Sequence, residues 1–81
     1  MPRRDDPQIG LGKAIRTFRN EAQLSQEALG ERSEIHATWI SHIESGRINP
    51  KWGNVQRIAN VLEVRLSELA AMAEEMDRCV G

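Results

Sequence analysis

The sequence has few of the features that mark a secreted, membrane-bound or β-rich protein. Its 81 residues contain one cysteine, Cys79, so no internal disulfide can form, as is typical of a reducing compartment. No apolar run is long enough to cross a bilayer, and the basic N-terminus lacks the apolar stretch of a secretory signal. Only 4% of the residues are aromatic, whereas residues that favour helices are abundant. We therefore expect an all-α protein that stays in the cytoplasm, away from the membrane.

Catalytic and metal-binding patterns are also scarce. The chain shows no Ser/His/Asp set, no phosphate-binding loop and no paired acids, so we expect neither an enzyme nor a cofactor. The spacing of His36 and His42 places them on different faces of a helix, and no second cysteine could complete a metal site. We therefore predict no metal.

The charges nearly balance, with a net charge of −1, but they are unevenly distributed. Residues 1–20 carry five basic and two acidic side chains, whereas residues 21–50 carry two basic and five acidic ones. Phosphate neutralisation supplies much of the affinity of proteins for nucleic acids. Any such affinity in this chain must therefore come from a local basic face.

Helical spacing of apolar residues divides the chain into a short arm and five helices. Residues 1–8 contain two prolines and four charges without periodicity, and we interpret them as a flexible N-terminal arm before a single domain, residues 9–81. The apolar pattern predicts helices over about 11–22, 26–32, 37–45, 55–62 and from 67 onwards. Ser67 has the side chain of an N-cap for the last helix. We also expect Trp52 to lie in the core.

The second and third predicted helices are short and closely connected. Ser25 can cap the second helix, residues 33–36 are too few to form a separate loop, and Gly46 can end the third helix. Two short helices joined by a tight turn form a helix-turn-helix. Because Ile40 and Ile43 supply the buried face of the third helix, its opposite face is free to enter the major groove of DNA.

Several short blocks of sequence share the spacing of a known family. Residues 24–29 read Leu-Ser-Gln-Glu-Ala-Leu and residues 40–46 read Ile-Ser-His-Ile-Glu-Ser-Gly, with Ile35 between them and Pro50 after them. This pattern resembles the Cro/CI-type repressors of the XRE family over roughly residues 11–69. The resemblance implies a five-helix, lambda-repressor-like domain that binds double-stranded DNA and regulates transcription. The family includes phage repressors, antitoxin-like autoregulators and restriction–modification controller proteins, and the length of this chain fits the controllers particularly well.

The free face of the third helix and the resemblance together predict the functional residues. Base contacts are expected from Ala37, Thr38, Ser41 and His42. Phosphate contacts are expected from Gln26, Trp39, Ser45, Arg47, Asn49, Lys51 and Arg16, with Trp39 alternatively packing on the edge of the domain. The resemblance also implies a structural ion pair between Arg19 and Glu44.

Three residues of the helix-turn-helix differ from the usual pattern of the family. Glu34 occupies a turn position that is usually glycine, His36 replaces the usual Ser or Thr cap of the recognition helix, and Gly30 replaces an alanine. If Glu34 adopts a left-handed conformation, the strain is about 1 kcal/mol. These differences concern the geometry of the turn rather than the fold.

Apolar residues of the last helix suggest how the protein assembles. Leu69, Met72, Met76 and Val80 form a stripe that we expect to make a two-fold homodimer on a palindromic operator, with the alternative that the stripe closes the protein's own core. No small-molecule effector is expected. A second interpretation of the whole chain is an antitoxin-like module that binds a protein partner, which the acidic residues 21–50 favour.

Overall fold

Five α-helices make up the fold in the computed structural model, which describes the backbone of residues 8–80 and the side chains of residues 8–78. The helices are α1 (Ile9–Glu21), α2 (Gln26–Ser33), α3 (Ala37–Glu44), α4 (Trp52–Leu62) and α5 (Leu66–Val80). No strand occurs within this part of the chain. None of these helices is long and apolar enough to cross a membrane. The all-α prediction and the order of the five helices are thereby confirmed.

The predicted helix boundaries are close to the observed ones, with α1 and α4 beginning earlier than expected. The backbone carbonyl of Gln8 accepts from the amide of Gly12 at 3.0 Å, so Gln8 already belongs to the start of α1. Residues 1–7 of the predicted arm lie outside the described part of the chain. The first turn of α4 begins at Trp52 because its N-cap, Lys51, is extended and accepts from the amides of Asn54 and Val55.

One hydrophobic core joins all five helices. Its largest fully buried side chains are Ile15, Leu29, Ile40, Ile43, Ile58 and Leu69, and each helix contributes at least one of them. Helix α3 packs against α1 and helix α2 packs against α4, while α5 packs against α1 and α4 and so supports the helix-turn-helix from behind these two helices.

Helix α5 mainly closes the protein's own core. Leu69 is only 1% exposed, so its assignment to a dimer interface was wrong: the side chain packs inside the protomer. Met72 and Ala73 also pack against the core, and α5 makes its most extensive contacts with α1. The two helices approach closely at Gly10, where a side chain would collide with the backbone carbonyl of Ala73.

The start of α5 uses a different cap from the predicted one. The helix begins at Leu66, so Ser67 lies inside the first turn rather than before it. Glu68 instead reaches back, and its Oε1 accepts from the backbone amide of Arg65 at 3.1 Å. This is the glutamate half of a capping box, which satisfies one backbone donor at the helix N-terminus.

Trp52 is a surface residue and not a core residue. Its side chain is 64% exposed at the first position of α4, so the expectation that it lies in the core was wrong. The side chain lies at the edge of a groove that Leu11, Val55 and Leu66 also line. Helix α4 buries Val55, Ile58, Ala59 and Leu62. At 100° per residue Trp52 lies about 20° from Ala59 around the helix, so it shares this face, but it stands at the N-terminal end of α4 and its side chain remains exposed.

Candidate nucleic-acid interface

Helix α3 buries one face and presents the other to solvent. Ile40 and Ile43 are almost completely buried, whereas Thr38 and Ser41 are exposed and His42 is half-buried. Ala37, the fourth residue predicted to contact bases, is also half-buried. All four are accessible at least in part, as a helix that enters a DNA groove requires.

The turn before α3 depends on two of the three residues that differ from the family pattern, Glu34 in the turn and Gly30 in α2. Glu34 has a φ of 61°, in the left-handed region, and the amide of Ile35 donates to the carbonyl of Gly30 at 2.9 Å. This is the bond of a Schellman motif. A Cβ on Gly30 would lie 2.5 Å from the carbonyl oxygen of Ile35. The glycine at a position that is usually alanine therefore permits the close approach of this turn to α2.

His36 caps α3 with its imidazole ring. Its Nδ1 accepts from the backbone amide of Thr38 at 3.1 Å, so the ring performs the function of the Ser or Thr that usually occupies this position. A turn later, the rings of Trp39 and His42 lie 6.1 Å apart at an angle of 55°. Trp39 is 54% exposed, so its ring forms part of the surface of α3 itself.

A buried ion pair connects α1 to the helix-turn-helix. Nε of Arg19 donates to Oε2 of Glu44 at 2.6 Å, and Nη2 donates to Oε1 of the same carboxylate at 3.0 Å. Nη1 also donates to the carbonyl of Leu24 at 2.7 Å. The hydrogen bonds with the Glu44 carboxylate raise the pKa of Arg19 above its usual value, although burial opposes this effect. These hydrogen bonds fix the end of α3 on α1.

The same carboxylate also holds Gln26, the residue predicted to bind a phosphate. Nε2 of Gln26 donates to Oε1 of Glu44 at 3.2 Å. An amide nitrogen carries two hydrogens, so Gln26 keeps one N–H for a further acceptor. Ser25 caps α2 by accepting from the amide of Ala28 at 3.0 Å, which places Gln26 at the positive end of the helix. The sequence pattern predicted the ion pair but contained no signal for this link to Gln26.

The other residues predicted to contact phosphates are only partly gathered together. Trp39, Asn49 and Lys51 line one cleft between the starts of α3 and α4, and His36 and Asn54 line it too. Arg47 is exposed in the loop after α3, and the Ser45 hydroxyl donates to the carbonyl of His42. Arg16 is exposed on α1 and is not part of the lining of this cleft. Asn54 lines the cleft without belonging to any motif of the sequence.

The fold and the solvent-facing recognition helix define a helix-turn-helix protein. Residues 11–72 match the family described as a helix-turn-helix domain, and the chain belongs to this family. The chain is therefore a DNA-binding transcriptional regulator of the helix-turn-helix class.

Its similarities within this class are to regulatory proteins. The chain is 32% identical over 72 residues to the control protein C.MunI of a Mycoplasma species, covering 88% of this chain and 97% of that protein. Among solved structures, the restriction–modification controller protein C.AhdI of Aeromonas hydrophila is 27% identical with a TM-score of 0.75, covering 76% of this chain and 94% of that one. The immunity repressor of Bacillus phage phi105 is 27% identical over 59 residues. Those residues are 73% of this chain but only 41% of the repressor.

Proposed function

We propose that the protein is a cytoplasmic, sequence-specific transcriptional regulator that binds a palindromic operator as a homodimer and inserts α3 into the major groove. The observation that carries this proposal is the two-sided character of α3: Ile40 and Ile43 are sealed in the core, while Thr38 faces solvent. The similarity to restriction–modification controller proteins supports a regulatory role of the same kind.

The proposed reading of bases depends on small and neutral side chains. The methyl group of Ala37 suits thymine, Thr38 and Ser41 offer hydroxyl groups, and the imidazole of His42 can donate or accept a hydrogen bond. None of these side chains makes the bidentate contacts of Arg, Asn or Gln. We therefore infer that the spacing of two half-sites and the shape of the DNA contribute much of the specificity.

The proposed contacts with the DNA backbone come from both ends of the helix-turn-helix. Gln26 lies at the N-terminus of α2, where its free N–H and the helix dipole favour a phosphate. The exposed Arg47 and Lys51 supply positive charge in the segment that follows α3. Trp39, Ser45, Asn49 and Arg16 complete the proposed set.

Because Leu69 is buried within the protomer, the proposed homodimer must form through other side chains. Met72 and Met76 are half-buried and remain partly available on α5, whereas the side chain of Val80 lies outside the described residues. We add Trp52 to this surface because it is a large, exposed indole at the edge of a groove that Leu66 and Ala70 of α5 also line. Exposed apolar side chains of this size commonly mark protein interfaces.

Selection of bound duplexes from a random DNA pool, followed by titration in increasing salt, tests the proposal. We expect an enriched palindrome and an affinity that falls steeply with salt, because phosphate contacts release counterions. Arg47→Ala should weaken binding to every duplex, whereas Thr38→Ala should mainly change the preference between sequences. An unenriched pool without binding in dilute buffer would contradict the proposal and favour a protein-binding module.

A further inference from the structure

The hydrogen bond that caps α3 fixes which nitrogen of His36 carries a proton. Nδ1 accepts from the backbone amide of Thr38, so it must be unprotonated. In the neutral ring the proton is then on Nε2, because a neutral imidazole has one donor nitrogen and one acceptor nitrogen. The hydroxyl of a serine or threonine cap also has an O–H donor, but this donor is on the capping atom itself. His36 instead presents its donor on a second atom, Nε2, at the other edge of the ring from the capping Nδ1.

The exposed imidazole borders the cleft between α3 and α4. The cleft has a volume of about 610 Å³ and has apolar walls from Trp39, Ile43, Ile48 and Pro50. Lys51 provides a cation at its edge, and Asn54 provides a side-chain amide. The carboxylate of Glu34 also borders it, so an anion in the cleft must lie nearer to Lys51 than to Glu34. Donors and a cation beside an apolar wall suit the phosphate and sugar of a nucleic-acid backbone.

We propose that His36 binds a DNA backbone phosphate through Nε2–H while its Nδ1 caps the recognition helix. This inference rests on the proposed function, since it adds a contact to the same DNA interface. The imidazole then joins the DNA backbone directly to the first turn of α3. Phosphate binding at this point holds the N-terminus of α3 in position, and Thr38 on that turn is held with it.

The cleft distinguishes a phosphate from a base edge as the partner of His36. Lys51 belongs to the segment between α3 and α4, outside the helix that enters the groove, and it borders the same space as His36. Base contacts are expected from Thr38, Ser41 and His42, which follow His36 along α3. A contact with phosphate is independent of sequence, whereas a contact with a base is not.

Substitution of His36 tests phosphate binding by Nε2–H separately from helix capping by Nδ1. His36→Ser keeps a strong N-cap and removes the Nε2 donor, leaving only a short hydroxyl at the capping position, so thermal stability should be close to that of the wild type. Its affinity for a short mixed-sequence duplex should fall about tenfold, as expected for the loss of one hydrogen bond to a charged group. Asn60→Ser, a change at an exposed residue of α4 that does not line the cleft, is the matched control and should leave this affinity unchanged.

Nitrogen NMR of the imidazole provides a direct measurement on the wild-type protein. Long-range proton–nitrogen spectra should show the Nε2–H form of His36 in the free protein, and addition of the mixed-sequence duplex should shift Nε2 and slow the exchange of its proton. A proton on Nδ1, or an Nε2 signal that DNA leaves unchanged, would overturn the inference.

The remaining outcomes separate this inference from the proposed function. If His36→Ser binds the mixed-sequence duplex as tightly as the wild type, His36 is only a cap and the inference is wrong. If the variant loses affinity solely for selected palindromes, His36 contacts a base and the phosphate assignment is wrong. If the wild type binds no DNA, the proposed function and this inference fail together.

Discussion

Among single residues, Glu44 links its own helix to two others by hydrogen bonds. Its carboxylate receives two hydrogen bonds from Arg19 of α1 and one from Gln26 of α2. Glu44 itself is the last residue of α3, so one buried side chain connects three helices. The position of Gln26, a proposed phosphate ligand, therefore depends on a buried ion pair.

Removal of either charge should be strongly destabilising. We expect Glu44→Ala to lower the free energy of unfolding by about 3 kcal/mol, because Arg19 is then buried without a counterion. Urea denaturation measures the change. The double variant Arg19→Met with Glu44→Met is the control: an apolar pair of similar volume should recover most of the lost stability. A Glu44→Ala protein as stable as the wild type would show that solvent reaches Arg19 freely.

Two glycines in helices should respond in opposite directions to the same substitution. Gly30→Ala should destabilise the protein by about 1–3 kcal/mol, because its new Cβ would meet the carbonyl oxygen of Ile35 at 2.5 Å. Gly53→Ala should stabilise the protein by up to about 1 kcal/mol, because no atom lies within 4 Å of the new methyl group and alanine favours a helix. Thermal unfolding of both variants checks the pair. Equal effects would mean that helix propensity alone explains them.

At the scale of helices, α1 to α4 all end in the same way. Each is followed by a residue in the left-handed region, namely Gln23, Glu34, Gly46 and Glu63, with φ values from 57° to 77°. After each of these residues, the next backbone amide donates to a carbonyl five residues earlier. Only one of the four is a glycine, the residue that adopts this conformation without strain.

Replacement of a left-handed glutamate by glycine should therefore relieve strain. We expect Glu34→Gly to raise the free energy of unfolding by up to about 0.5 kcal/mol, since relief of left-handed strain slightly exceeds the added entropy of the unfolded chain. Glu63→Gly, which has the same conformation after α4, should behave alike. Denaturant midpoints measure both effects. A loss of stability in Glu34→Gly alone would indicate that the carboxylate of Glu34 has a stabilising contact in the turn.

The sequence predicted the positions of the helices better than it predicted whether an apolar side chain packs in the core, lies in an interface or stays exposed. Ile40 and Ile43 recur at helical spacing and are buried, as predicted. The stripe of α5 has the same spacing, but periodicity alone cannot distinguish a core from an interface, and Leu69 lies in the core. Trp52 was misassigned because it shares the buried face of α4 by helical spacing, and spacing does not show that the core ends before the first residue of the helix. The Gln26 to Glu44 hydrogen bond joins distant positions and leaves no local pattern.

At the scale of the whole molecule, the proposed dimer should depend on the surface around Trp52. We expect Trp52→Ser to raise the dimer dissociation constant at least about tenfold while changing the free energy of unfolding of the monomer little, because an exposed indole contributes little to the core. Sedimentation equilibrium at several concentrations measures the association. Leu69→Ala, by contrast, should unfold the protein through loss of core packing. A dimer unaffected by Trp52→Ser would remove Trp52 from the interface.

The two exposed indoles also make the protein its own optical reporter. The sequence contains two tryptophans and no tyrosine, so emission excited at long ultraviolet wavelengths arises from Trp39 and Trp52 alone. Trp39 borders the proposed DNA interface, and Trp52 lies at the proposed dimer surface. In Trp52→Phe we expect added duplex to quench the emission of Trp39 and shift its maximum. In Trp39→Phe we expect the emission maximum of Trp52 to shift as the protein concentration rises and dimers form. DNA binding and self-association can thus be recorded separately without an attached dye.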